Sequence, residues 1–309
     1  IRAILNLKNK KVKGCFEKKQ SFFFCDIMTL SLNFGGKKLS IKLIATDMDD
    51  TLLDNHQKIS QRNEAAIKQA AAQGIKVVFA TGRMFISAQT YAKELGMDVP
   101  LVAYNGGLVK GSVSEKVYYE KKVELSTAHD VLQYCHEKKF YIQYYKDENL
   151  YIEAPNDFSA RYMSIAHITP IAIGEELYHP TAAPNKLLVM TSSEEFDKAW
   201  QDIAQRFAGR LDVTSSKTNF LELMEPGVNK WSAVKAVGEM YKIKPEEIMC
   251  IGDSNNDLPM IANAGIGVAV ANAPEPVQKA AKIVTASNDN DGVAMVIEQI
   301  LTKQINVPN

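Results

Sequence analysis

The 309-residue chain has no apolar run near the ~20 residues that a membrane-spanning helix requires, so a bilayer span is not expected. Its four cysteines, Cys15, Cys25, Cys135 and Cys250, show no C-x-x-C spacing. That pattern indicates neither a disulfide framework nor a zinc site, and a reducing, cytoplasmic setting is the expectation. His56, His129, His136, His167 and His179 have no ligand spacing either, which argues against a histidine-held metal. Gly265-x-Gly267 hints at a dinucleotide loop, but it precedes a strand pattern and lacks a third glycine. That reading is set aside.

Net charge is also absent, although the zero conceals an asymmetry. Residues 1–40 carry nine Lys/Arg against Glu17 and Asp26, a net of +7, which leaves −7 for the rest. As a secretion signal the segment fails, because its apolar run from Phe22 to Met28 is short and interrupted by Asp26. Residues 1–40 are expected to be a poorly ordered basic tail. Met28 precedes the first clear strand, so residues 1–27 are expected to be a start-site artefact. The remaining mildly acidic body argues against nucleic acid as the partner. Oligomeric state cannot be read.

What is present is an ordinary globular composition, 46% apolar and 23% charged, in a chain long enough for two domains. From Leu43 the pattern alternates. LIAT (43–46), KVVFA (76–80) and LVAY (101–104) read as buried strands, with helical patterns from Ser60 toward Gly74 and from Phe85 to Leu95 between them. Such alternation predicts an α/β fold with a Rossmann-like parallel-sheet core, whose ligands bind beyond the carboxyl ends of the strands. From about residue 123 the texture becomes aromatic and proline-punctuated. An inserted α+β cap is expected over residues 123–216, dividing a core of residues 41–122 and 217–309. The parallel pattern is expected to resume at FLELM (220–224), followed by a helix from Lys230 and strands at MCIG (249–252), GIGVAVA (265–271) and KIVT (282–285).

Acidic clusters fall on two strand ends. IATDMDDTLLD places Asp47, Asp49 and Asp50 within four positions, and GDSNNDL adds Asp253 and Asp257 on another strand. Two ionised carboxylates at 4 Å repel by roughly 4 kcal/mol at an effective dielectric near 20, so either water or a cation belongs there. Asp47, Asp253 and Asp257 together would leave a negative excess, against which Lys230 returns a single positive charge. All-oxygen ligands suit Mg²⁺. Thr81 offers a hydroxyl and an amide at a strand-to-helix turn, and Gly82 permits close backbone approach. Read alone, Thr81 could be a helix cap and Lys230 a surface lysine.

The ordered set D-x-D-x-T (Asp47, Asp49, Thr51), T-G-R (Thr81 to Arg83), Lys230 and G-D-x-x-N-D (Gly252, Asp253, Asn256, Asp257) resembles the haloacid dehalogenase-like hydrolase superfamily, and its Cof-type phosphatases best. The phrases YNGGLV, IKPEEIMCIGDSNNDLPMI and GVAVANA extend the resemblance over about residues 41–303. Asp50 departs from it, since glycine is commoner there. The resemblance implies a Mg²⁺-dependent phosphatase of a small phosphorylated metabolite, with sugar phosphates the leading class. It assigns Asp47 as nucleophile and Asp49 as acid/base, held protonated at first by a nearby carboxylate. The metal ligands are then the carboxylates of Asp47 and Asp253 and the Asp49 carbonyl, with Asp257 orienting the metal's waters. Met48, Thr81, Gly82, Lys230 and Asn256 hold the phosphoryl group. Arg83 is left out of the catalytic set, as structural or paired with the acidic rim. Loops around 110–125 and 180–186 are weak candidates for substrate contacts. The alternatives are a phosphotransferase or mutase on the same core and, of another class, a phospho-accepting receiver module.

Overall fold

The structure is a computed structural model that describes residues 41–217 and 219–302; the expectations for the basic tail lie outside the described residues. The chain first forms β1 (Leu43–Thr46), α1 (Gln61–Ala72), β2 (Lys76–Ala80), α2 (Phe85–Glu94), β3 (Pro100–Ala103), β4 (Leu108–Gly111) and β5 (Val117–Glu120). It continues through α3 (Leu125–Lys138), β6 (Tyr141–Lys146), β7 (Asn149–Ile152), α4 (Asp157–Ala166), β8 (Ile171–Ala172), β9 (Lys186–Met190), α5 (Phe196–Arg206), β10 (Asp212–Thr214) and β11 (Phe220–Met224). It ends with α6 (Lys230–Met240), β12 (Ile248–Gly252), α7 (Leu258–Asn263), β13 (Ile266–Ala269), α8 (Glu275–Ala280), β14 (Ile283–Val284) and α9 (Gly292–Leu301).

Eight of these strands form one sheet in the order β14-β13-β12-β1-β2-β3-β4-β5, parallel from β14 to β3 and antiparallel at β4 and β5. The central strands are buried on both faces, which explains their continuous apolar runs. Strand alternation then divides them between two helical layers. Ile44, Phe79 and Met249 pack with α1, α2 and α9, whereas Leu43, Ala45, Val78 and Cys250 pack against Ala233, Val234 and Val237 of α6. Successive βα units step from β1 toward β3 on one side and from β12 toward β14 on the other. The strand order therefore reverses between β1 and β12, the place where such sheets open a crevice. β1 and β12 pair in parallel with Thr46 opposite Ile251, so the residues after each strand emerge side by side.

The second sheet has the order β10-β11-β9-β6-β7-β8 and is antiparallel except between β7 and β8. Here the sequence reading needs correction. FLELM does not resume the parallel sheet. As β11 it pairs antiparallel with β9 and β10, so the second sheet extends past residue 217 to Met224. A fully buried five-residue strand looks the same in either sheet, because neither face is marked by polar alternation. Helix α4 was also missed; Asn156 and Ser159 close a reciprocal capping box at its start. Among the described residues no helix is long and apolar enough to cross a membrane. Cys135 and Cys250 are buried free thiols.

Candidate active site

The extension of β1 supplies Asp47, whose amide still donates to Ile251 of β12 at 2.9 Å. The chain then closes on itself, with the Met48 carbonyl accepting from the amides of Thr51, Leu52 and Leu53, while the Met48 side chain is buried in the core. Asp50 sits in this turn at φ 56°, a left-handed position that glycine adopts freely and aspartate tolerates. Its carboxylate lies 3.3 Å from Lys217 Nζ. The departure at Asp50 thus leaves the turn intact and places one more charge at the mouth.

β12 ends on Gly252, and Asp257 folds back beneath it. A Cβ at Gly252 would come within 2.5 Å of the Asp257 carboxyl carbon, so only glycine admits this approach. Asp257 Oδ2 accepts from the amides of Asp253 and Ser254, each at 3.0 Å. Thr51 Oγ1 donates to Asp253 Oδ1 at 2.8 Å, tying the two acidic strand tips together. Oxygens of Asp47, Asp253 and Asp257 all lie within 4.8 Å of one another. Lys230, the first residue of α6, is 1% exposed and donates at 2.6 Å to both Asp47 Oδ1 and Asp257 Oδ1. It is no surface lysine. Asn229, with a reciprocal Ser232 capping box, starts the helix at the position that aims Lys230 inward.

Thr81 is buried, and its hydroxyl accepts from the Arg83 amide at 3.1 Å. It is not the cap of α2, a place held by Met84. Gly82 is confined, since a Cβ there would meet Asn105 Oδ1 at 3.0 Å. Asn256 donates to Asn105 Oδ1 at 3.0 Å. A small cavity of about 60 Å³, partly open to solvent, runs from this group to the second sheet. Asp47, Asp49, Gly82, Asp253 and Asn256 line it on one side, and Tyr162, Phe220 and Glu222 on the other. Of the loops expected to reach the substrate, only Lys186 at the end of 180–186 borders it; α4, Ser216, Lys217, Phe220 and Glu222 do so instead.

Charge is distributed differently from the sequence reading. Burial and the nearby Asp257 push the Asp253 carboxyl up to about 7. Burial, then Asp257, also raises Asp47, with Lys230 opposing. Asp49 is the correction: burial would raise it, but two hydrogen bonds and the charge of Arg83 prevail and hold it below the usual carboxylate range. Arg83 Nε and Nη2 donate to Asp49 at 2.8 and 2.6 Å, a bidentate pair. The guanidinium is 8% exposed, donates also to Gln57, and lies 5.2 Å over the Tyr91 ring. So the proton expected on Asp49 is displaced by a cation 34 residues away in sequence. Arg83 does pair with the acidic rim, and its partner there is Asp49, the residue expected to act as acid/base.

An open parallel sheet with carboxylates gathered at its switch point places the chain in the α/β class, with a crevice at the carboxyl ends of β1 and β12. Within that class the chain belongs to the haloacid dehalogenase-like hydrolase family, whose sequence profile matches residues 44–297. It is 30% identical over 261 residues to the 5-amino-6-(5-phospho-D-ribitylamino)uracil phosphatase YcsE of Bacillus subtilis (strain 168), covering 84% of this chain and 95% of the relative. It is 27% identical over 288 residues to the phosphatase YwpJ of the same organism, covering 84% and 100%. Among solved structures, a haloacid dehalogenase-like hydrolase from Bacteroides thetaiotaomicron superposes with a TM-score of 0.75 at 30% identity, covering 84% of this chain and all of that one.

Proposed function

We propose that the protein is a Mg²⁺-dependent phosphatase that cleaves a small phosphorylated metabolite through an aspartyl-phosphate on Asp47. The observation that carries this is the meeting of the Asp47, Asp253 and Asp257 oxygens within 4.8 Å around one buried lysine. The donor set fits the metal, because every candidate ligand is a hard oxygen and the cluster carries more negative charge than Lys230 returns. Asp47, Asp253 and the Asp49 carbonyl would hold the ion. Asp257 would hold its waters, since both Asp257 oxygens already accept protein hydrogen bonds. When bound, Mg²⁺ supplies charge neutralisation and Lewis-acid polarisation of a phosphoryl oxygen.

The chain's own groups do the rest. Lys230 pins Asp47 Oδ1, leaving Oδ2 to attack phosphorus, and the P–O bond to the alcohol breaks as the new one forms. Asp49 gives its proton to the departing alkoxide and later takes one from the water that opens the acyl-phosphate. Arg83 favours the ionised, basic form of Asp49, so protonation for the first step requires that Arg83 loosen its grip. Thr81, Gly82, the Met48 backbone and Asn256 hold the phosphoryl oxygens, and the second sheet acts as a cap that excludes water. Tyr162 and Phe220 give the leaving group an apolar wall and Glu222 a polar one, which suits a polyhydroxylated ester. A relative named for a phosphoribityl substrate supports a sugar or polyol phosphate.

A panel of phosphorylated metabolites assayed with and without Mg²⁺ tests this. Hydrolysis of sugar or polyol phosphates that disappears with a chelator is expected; no phosphoester cleaved under either condition would refute the proposal.

The metal also has a stability signature. Asp253, at about 7 in the fold against 3.8 for a free aspartate, binds protons more tightly folded than unfolded between those values. The metal-free protein should therefore lose stability as pH rises from about 4 to 7. At pH 8, Mg²⁺ at a hundred times its Kd should stabilise by about 2.7 kcal/mol. That corresponds to a Tm rise of roughly 5–10 °C for a chain this size. Calorimetry on the parent and on Asp253→Asn checks it; a rise retained in Asp253→Asn would place the ion elsewhere.

A further inference from the structure

Two charged side chains sit inside otherwise apolar strands of the second sheet, on the face turned toward the site. In KLLVM and FLELM, strand alternation sends Leu187, Val189, Leu221 and Leu223 toward α3 and α5, and Lys186 and Glu222 the other way. Their side chains are 2% and 4% exposed and 3.7 Å apart. Stability alone does not account for such a pair, because buried ion pairs can often be replaced by apolar residues without loss. Each also makes one hydrogen bond that crosses to the first sheet. Lys186 Nζ donates to the Gly82 carbonyl at 2.8 Å. Glu222 accepts from Asn105 Nδ2 and, at 2.7 Å, from Ser216 Oγ.

From each contact a relay leads to a phosphate donor. The Gly82 carbonyl belongs to the peptide whose N–H is that of Arg83, and this N–H donates to Thr81 Oγ1 at 3.1 Å. A cation on the carbonyl polarises the peptide and strengthens its N–H as a donor. A hydroxyl that accepts from this amide turns its own hydrogen away, so the Thr81 O–H is left to donate. On the other side, Asn105 commits Nδ2 to Glu222, which leaves Oδ1 to accept from Asn256 Nδ2 at 3.0 Å. Ser254 Oγ donates to Asn256 Oδ1 at 2.6 Å, which fixes that amide from its far end. One N–H of Asn256 then remains to be donated.

We propose that Lys186 and Glu222 are positioning residues: acting through Gly82 and Asn105, they hold Thr81 and Asn256 in the orientation that donates to phosphate. This rests on the phosphatase reading above, in which Thr81 and Asn256 contact the phosphoryl group. Because both relays start on the second sheet, phosphate capture and the seating of that sheet over the core are coupled.

Inorganic phosphate in the presence of Mg²⁺ is the probe, titrated calorimetrically into the full chain alongside turnover of whichever phosphoester the panel yields. The double variant Lys186→Met/Glu222→Met removes both charges together, so no uncompensated ion is buried. It should raise the Kd for phosphate and the KM by about tenfold, equivalent to about 1.4 kcal/mol, with kcat falling less. Lys186→Met/Glu222→Gln keeps an acceptor for Asn105 without stranding the lysine and should recover part of that loss. Should the double variant fail to fold, Asn105→Gly breaks the second relay alone, at a left-handed position (φ 52°) that glycine adopts freely. It should weaken phosphate several-fold. Parent-like Kd and KM in a folded double variant, or in Asn105→Gly, overturn the proposal, as does a fall confined to kcat. A parent that neither binds phosphate nor cleaves any phosphoester refutes the phosphatase reading and this one with it.

Discussion

Asp47→Asn should lower kcat on the best phosphoester by about 10⁴-fold or more, while the protein stays folded. Loss of a covalent nucleophile has cost up to about 10⁶ in hydrolases studied by this route. Phosphate monoesters leave little background rate to hide behind. The amide is nearly isosteric and can still accept from Lys230, so geometry survives while nucleophilicity does not. Stability should not fall in step. Burial and Asp257 raise the Asp47 carboxyl, so its ionised form is an electrostatic burden that asparagine removes. A Tm unchanged or slightly higher, with turnover gone, separates chemistry from folding. A variant that keeps more than a tenth of its turnover would mean that Asp47 is not the attacking group.

The acidic strand tips were legible in the sequence because each is a local event: an apolar run, then carboxylates where a strand must end. That the two tips adjoin was only inferable, since the pairing of β1 with β12 joins residues about 200 apart. What stayed hidden depended on side chains distant in sequence. Nothing near Asp49 announces that Arg83 will hold it ionised, and the sequence reading kept it protonated through a neighbouring carboxylate instead. Lys186 and Glu222 were missed although a signal existed: a single charge within a fully apolar strand requires a partner, because such residues are almost never buried unpaired. FLELM was placed in the wrong sheet for the opposite reason, as burial on both faces erases the periodicity that would show which layers it packs between.

Lys230→Met should be the most destabilising substitution in the site, by about 3–5 kcal/mol. That corresponds to a Tm loss of roughly 6–20 °C in metal-free buffer. Lys230 is 1% exposed and donates at 2.6 Å to two carboxylates that are themselves 5% and 0% exposed. Methionine fills much the same volume, so the loss is electrostatic and not a cavity. Asp47 and Asp257 would be left buried and facing each other without their shared cation. Both acids also hold Lys230 firmly charged, so the lysine cannot escape the arrangement by neutralising. Two further measurements distinguish this from general damage. Asp257→Asn in the Lys230→Met background removes one of the stranded charges and should restore part of the stability. Mg²⁺ should likewise protect Lys230→Met more than it protects the parent, since the ion would supply the missing positive charge to the same oxygens. Chemical and thermal denaturation of the three proteins at pH 7.5, with and without Mg²⁺, gives all of these values. If Lys230→Met melts within a few degrees of the parent, the buried carboxylates are not sustained by that lysine, and the electrostatic balance assigned to the site is wrong.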